Sequence, residues 1–134
     1  MLGLMMVAPA DVKALWPDVR DFINEAIDAG ERLYPERHYY EACARGDMQL
    51  WISLDGETCK QATITKIYNY PLKRRCTIVC CGGEGMADWI NNIIQIEQWA
   101  RESGCNSIQL TGRKGWGRVL KDWDKQGSII GKEL

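Results

Sequence analysis

The chain has 134 residues, 46% of them hydrophobic and 26% charged, with a formal net charge of −1 at pH 7. That length suits one domain around a single core, and that balance excludes an intrinsically disordered chain. A nearly neutral, slightly acidic protein has no long-range attraction for nucleic acid or anionic lipid, so neither is expected as a partner.

In chain order, Met1 to Val7 is apolar. It is far shorter than the roughly 18 apolar residues of a membrane span, and it lacks the charged start and cleavage site of a signal peptide. It reads as a first strand. From Ala10 to Ala29, Val12, Leu15, Trp16, Val19, Phe22, Ile23, Ala26 and Ile27 recur at spacings of three and four. One broad apolar stripe follows, and with it a helix that Gly30 ends. Pro17 removes a hydrogen bond from that helix, so a kink or a fresh start is expected there. A shorter helix is expected over Glu36 to Ala44, closed by Gly46.

A strand-rich block comes next. Leu50, Ile52 and Leu54 alternate with Trp51 and Ser53, and Asp55-Gly56 makes a tight turn. Thr58 to Tyr70 is rich in Thr, Ile and Tyr, residues that fit a pleated surface, and Pro71 ends it. Arg75 to Cys81 gives a third strand. Simple alternation puts Cys76, Ile78 and Cys80 on one side of it and Thr77, Val79 and Cys81 on the other. The three strands read as an antiparallel meander, and Lys73-Arg74-Arg75 as solvated surface.

The period then changes. Gly82-Gly83-Glu84-Gly85 reads as a turn into a helix from Met86 to Ser103. Met86, Trp89, Ile90, Ile93, Ile96 or Glu97, and Ala100 line its buried side, with Ile94 and Trp99 flanking. Gly104 caps it, Ser107 to Thr111 makes a short strand, Gly115 to Asp122 a further helix, and Ser128 to Glu133 a last strand. The expected order is β-α-α-β-β-β-α-β-α-β, an α+β domain with a mixed sheet over residues 1–134. Trp116 and Trp123 flank the last helix as packing or partner-surface residues.

The six cysteines contain no C-x-x-C pair, and His38 is the single histidine, so no metal site is expected. Buried thiols acting as small hydrophobes in a reducing compartment account for them. The segment from Cys80 to Trp89 carries more chemistry. A strand ends, glycines allow a sharp turn, and a helix begins with its amides unpaired, which offers N–H donors and a positive dipole end to a phosphate.

This element order and this turn resemble the GNAT acyltransferase superfamily, whose Gln/Arg-x-x-Gly-x-Gly/Ala signature opens the central helix. Gly82-Gly83-Glu84-Gly85-Met86-Ala87 matches its last two fixed positions. Gly82 stands where Gln or Arg is usual, and Glu84 puts a negative charge near the expected diphosphate. The stretch from Gly104 to Leu120 resembles that of small GNAT-like proteins of tailed bacteriophages and prophages.

The resemblance implies acetyl-CoA as cofactor, held around Cys81, Gly82, Gly83, Gly85, Met86 and Ala87, with Arg113 able to meet a phosphate or carboxylate. It places the pantetheine between the strand ending at Cys81 and the one at Ile108 to Thr111. It also implies direct attack of an amine on the thioester, with no cysteine nucleophile. A tyrosine on the last helix commonly protonates the leaving thiolate; here Val119, Leu120 and Trp123 occupy the plausible positions. His38, Tyr39 and Tyr40 fall in the region that lids the acceptor, and Glu57, Glu84 and Glu97 are candidate bases among which the sequence does not choose.

Two functional readings follow. One is an acyl-CoA-dependent N-acyltransferase with an eroded motif and an amine-bearing acceptor. The other is a non-catalytic GNAT-fold phage virion or assembly protein that binds a phage or host protein. The expected locations are the host cytoplasm or the virion.

Overall fold

The computed structural model describes residues 3–30, 32–85, 89–110, 120, 122–123 and 130–134. The described strands β1 (Gly3–Val7), β2 (Gln49–Asp55), β3 (Thr58–Tyr70), β4 (Lys73–Gly83) and β5 (Ser107–Leu110) lie side by side in that order. Neighbours from β1 to β4 are antiparallel, and β4 and β5 are parallel, so the sheet is mixed as expected. Among the described residues no helix is long and apolar enough to cross a membrane.

A 3-10 turn (Pro9–Asp11) leads into α1 (Val12–Ala29), and α2 (Glu36–Arg45) follows. No fresh start occurs at Pro17: α1 continues through it as one helix. Pro17 lies in the second turn, so the loss is one bond to the Lys13 carbonyl. Val12 and Trp16 before it, and Val19 and Ile23 after it, are all buried in one core and hold both sides of the lesion in place. Leu50, Ile52, Ala62, Ile64 and Cys80 supply the sheet side of that core.

The helix α3 (Trp89–Glu102) covers the opposite face. Its buried residues are Trp89, Asn92, Ile93, Ile96 and Ala100; of the expected stripe Ile90 is only half-buried and Met86 lies outside the described residues, while Asn92 is a polar member that the stripe did not include. The sheet face beneath it carries Ser53, Gln61, Thr63 and Thr65, all buried. Each finds a partner: Trp51 Nε1 donates to Thr65 Oγ1 at 3.0 Å, Trp89 Nε1 to Thr63 Oγ1 at 3.4 Å, and Asn92 Nδ2 to Ser53 Oγ at 2.8 Å and Gln61 Oε1 at 2.7 Å. Satisfied in this way, the polar layer avoids the desolvation penalty of unpaired buried groups.

Two expectations about β4 are corrected. It runs on to Gly83, so Gly82 and Gly83 belong to the strand, paired with Ala62 and Gln61, and not to the turn. Its alternation also breaks. Ile64 pairs with Cys80 and Thr65 with Ile78, which leaves Val79 as the extra residue of a bulge. Cys76 and Ile78 therefore pack under α3, while Cys80 turns to the α1 side and Cys81 to the α3 side.

The expected last helix falls on residues 115–122, of which only 120 and 122 are described. Leu120 is buried against Ile78, Trp89 and Ile93, and Trp123 packs on the same cluster, as a packing tryptophan does. Trp116 lies outside the described residues. Of the expected last strand, residues 130–133 are described and are not in a strand; Ser128 and Ile129 lie outside the described residues.

Candidate functional site

β4 and β5 pair from Arg75–Ser107 to Ile78–Leu110. There the pairing ends among the described residues, although β4 continues to Gly83. The bulge at Val79 sits at the same level. Beyond it, no described strand lies beside the β4 edge.

A cavity of about 680 Å³ opens at this point. Thr77 and Cys80 reach it from the α1 face of the sheet, and Ile78 and Cys81 from the α3 face. Residues from both faces of β4 thus line one space at the level where its described pairing with β5 ends. Gln109 and Leu110 of β5 line it from the other strand. The end of α1 and Tyr34 and Tyr39 roof it, with Tyr68 and Tyr70 of β3 on its floor.

At the far end of β4 the turn is held from behind. Gln61, 1% exposed, donates from Nε2 to the carbonyls of Glu84 at 2.5 Å and Gly85 at 2.9 Å. Because N–H and C=O are anti across a trans peptide, fixing the Glu84 carbonyl inward directs the Gly85 N–H away from Gln61. Glu84 is gripped twice by one residue: its N–H donates to the Lys60 carbonyl at 2.9 Å, and its carboxylate meets Lys60 Nζ at 3.3 Å. The acidic side chain that opposes a diphosphate on charge thus has a counter-ion beside it.

The two preceding glycines answer to packing. A Cβ on Gly82 would run into the Phe22 carbonyl oxygen of α1, and one on Gly83 would lie 2.7 Å from the Gln61 Cα. Gly83 also has φ +129, which favours glycine. They let α1 and β3 close on β4, and so set the frame of the turn. Of the site residues expected from sequence, Cys81 lines the cavity, Gly82 and Gly83 form the strand end, and Gly85 stands in the turn with φ +69. Met86, Ala87 and Arg113 lie outside the described residues.

The expected lid residues separate. Tyr39 lines the cavity; His38 stacks on Tyr34 at 4.1 Å between ring centres; Tyr40 packs edge-on against Trp16. Burial pushes the Tyr39 hydroxyl well above the usual tyrosine range, with the neighbouring Cys80 thiol adding to the shift. Burial likewise pushes the Cys80 thiol up to about 11, so it stays protonated at neutral pH and is no thiolate nucleophile. Glu97 pairs with Arg101 on α3 at 3.4 Å and is not among the described residues that line the cavity; Glu57 lies at the β2–β3 turn.

Sequence reasoning missed Gln61, Asn92, Lys60 and Arg75. Gln61, Thr63 and Thr65 alternate as a solvent-facing row would, and nothing local marks that row as covered by a helix. Arg74 and Arg75 are half-buried, not solvated: Arg74 Nε donates to the Ser103 carbonyl at 3.1 Å, and Arg75 lies over the Tyr70 ring at 5.4 Å.

No protein-family model and no curated protein matches the sequence. Solved structures do match in shape. An aminoglycoside acetyltransferase from an uncultured soil metagenomic sample, in complex with sisomicin, is 13% identical with a TM-score of 0.71, over 99% of this chain and 96% of that one. A GCN5-related N-acetyltransferase from Ralstonia eutropha JMP134 is 12% identical with a TM-score of 0.71, over 100% and 99%. A predicted acetyltransferase with acetyl-CoA from Clostridium acetobutylicum is 17% identical with a TM-score of 0.64, over 100% and 96%. The likeness shows the fold: the sheet and helices have the GNAT-like α+β architecture.

Proposed function

We propose that this chain is an acyl-CoA-dependent N-acyltransferase acting on an amine-bearing acceptor. The observation that carries the reading is a cavity lined from both faces of β4 and by β5, at the level where the described pairing of the two strands ends. It is supported by acetyltransferases of the same fold, one of them solved with acetyl-CoA.

The residues present fit such a donor. The cavity beside β4 beyond Ile78 can take an extended, amide-bearing arm such as pantetheine. The turn after Gly83 offers the Gly85 N–H to a diphosphate, with Lys60 neutralising Glu84 beside it. We assign Cys81, Gly82, Gly83, Gly85, Met86 and Ala87 to this donor site and Arg113 to its phosphates. Bound there, an acyl-CoA supplies an activated thioester to which an amine adds directly. Cys80, buried and protonated, takes no covalent part. Tyr39 stays a neutral phenol and can donate one hydrogen bond at the acceptor end.

The cavity of about 680 Å³ that the described residues leave favours this reading over a non-catalytic scaffold, in which a bulky side chain closing the gap is expected. Calorimetric titration with acetyl-CoA tests it. Saturable micromolar binding, weakened at least tenfold by Gly85→Glu, is the expected result; no heat up to millimolar acetyl-CoA would refute it.

A further inference from the structure

Arg75 stands at the edge of the cavity, against two of the residues that line it. Its NH1 donates to Gln109 Oε1 at 3.3 Å, and its guanidinium lies over the Tyr70 ring at 5.4 Å from the ring centre. Its Nε is shielded from solvent and has no hydrogen-bond partner. Among the described residues no carboxylate pairs with it. A half-buried guanidinium over an aromatic face, with a donor unpaired and no counter-ion, carries an uncompensated desolvation cost. A planar fork of this kind is matched by the two oxygens of a carboxylate.

We infer that Arg75 binds a carboxylate at the far end of the amine acceptor, and that the acceptor is elongated. This rests on the acyltransferase reading, which puts the reacting amine near the bulge at Val79. Arg75 precedes Val79 by four strand residues, about 13 Å at the rise of an extended strand. Its lean towards Tyr70, which pairs with Lys73, carries the charge no closer to the bulge. An extended peptide of about four residues spans that distance between its amino and carboxyl ends, whereas an α-amino acid does not. Tyr68, Tyr70, Thr77 and Gln109 form the floor along which such a chain lies.

Tetraglycine and tetraglycine amide, titrated calorimetrically into the protein, differ in the carboxylate alone. The free acid is expected to bind on the order of tenfold more tightly, the size of a charge-assisted bond to a partly buried arginine. Arg75→Gln is expected to erase the difference and Arg75→Lys to leave part of it, with free glycine binding weakly throughout. Equal affinity of the two peptides for the wild type, a preference that survives Arg75→Gln, or binding of neither peptide would overturn the inference. The wild-type comparison stands even where a variant fails to fold. Acetyl-CoA binding without peptide discrimination sinks the carboxylate site alone; discrimination without acetyl-CoA binding sinks the acyltransferase reading and leaves the anion site.

Discussion

Asn92 on α3 donates to the side-chain oxygen of Gln61 on β3 at 2.7 Å, and Gln61 uses its own amide nitrogen to hold the carbonyls of Glu84 and Gly85. Two fully buried amides thus connect the helix after the turn to the backbone of the turn itself. Asn92 fixes which way the Gln61 amide faces, and Gln61 fixes the turn.

Removing either partner should expose this dependence. We expect Asn92→Ala to cost about 2 kcal/mol, because Gln61 and Ser53 are left with unmet buried groups. Gln61→Ala should cost a similar amount and in addition weaken acetyl-CoA about tenfold, since the turn loses its inner anchor. A double-mutant cycle by urea denaturation should show coupling between the two positions. Strict additivity would mean that the network does not act as one.

Gly82 admits no side chain. Gly82→Ala places a methyl group against the Phe22 backbone, 3.1 Å from its carbonyl carbon, and backbone cannot step aside as a side chain can. The expected loss is about 3 kcal/mol by urea denaturation. Gly3→Ala, with open space around it, should be close to neutral.

Lys60 should govern the charge of the turn. Lys60→Glu replaces the counter-ion of Glu84 with a second carboxylate. Acetyl-CoA affinity is expected to fall about tenfold at low ionic strength and by less at high salt, since the pair is partly exposed and screened. A loss independent of salt would place the effect elsewhere.

Glu36 ties α2 to α1. It accepts hydrogen bonds from Trp16 Nε1 at 3.0 Å and Asn24 Nδ2 at 2.6 Å and pairs with Arg20 at 3.3 Å. The Trp16 bond leads in holding its carboxyl below the usual 4.5, against the opposing effect of burial. The unfolded chain therefore binds this proton more tightly. The stabilisation is complete above the unfolded value and is lost as pH falls through the folded one. Urea midpoints of the wild type should drop on acidification below about pH 4.5, and Glu36→Gln should start about 1 kcal/mol lower at neutral pH and lose less.

Three thiols should be silent in the folded protein. Burial pushes Cys43 and Cys76 up to about 12 and Cys80 up to about 11. Iodoacetamide at neutral pH, read by peptide mass spectrometry, should leave all three unmodified until denaturant is added. Cys80→Ala should retain acyl transfer, because the thiol forms no bond in it.

What the residue order determined was everything with a local period. The stripe from Val12 to Ile27, the stops at Gly30, Gly46 and Gly104, the meander around Asp55-Gly56 and the helix after the glycines all follow from spacing and backbone freedom, which neighbours in the chain decide among themselves. The tertiary structure decided the rest. Whether Val79 bulges depends on the register β3 offers, and that single extra residue reverses the faces of Cys80 and Cys81 at the level where the described pairing of β4 with β5 ends. Whether Gly82 serves a turn or a helix passing overhead depends on where α1 lies. Whether Gln61 and Arg75 meet water or protein depends on which helix covers which half of the sheet. None of these is a property of a short window, because each is set by surfaces that distant segments bring together only on folding.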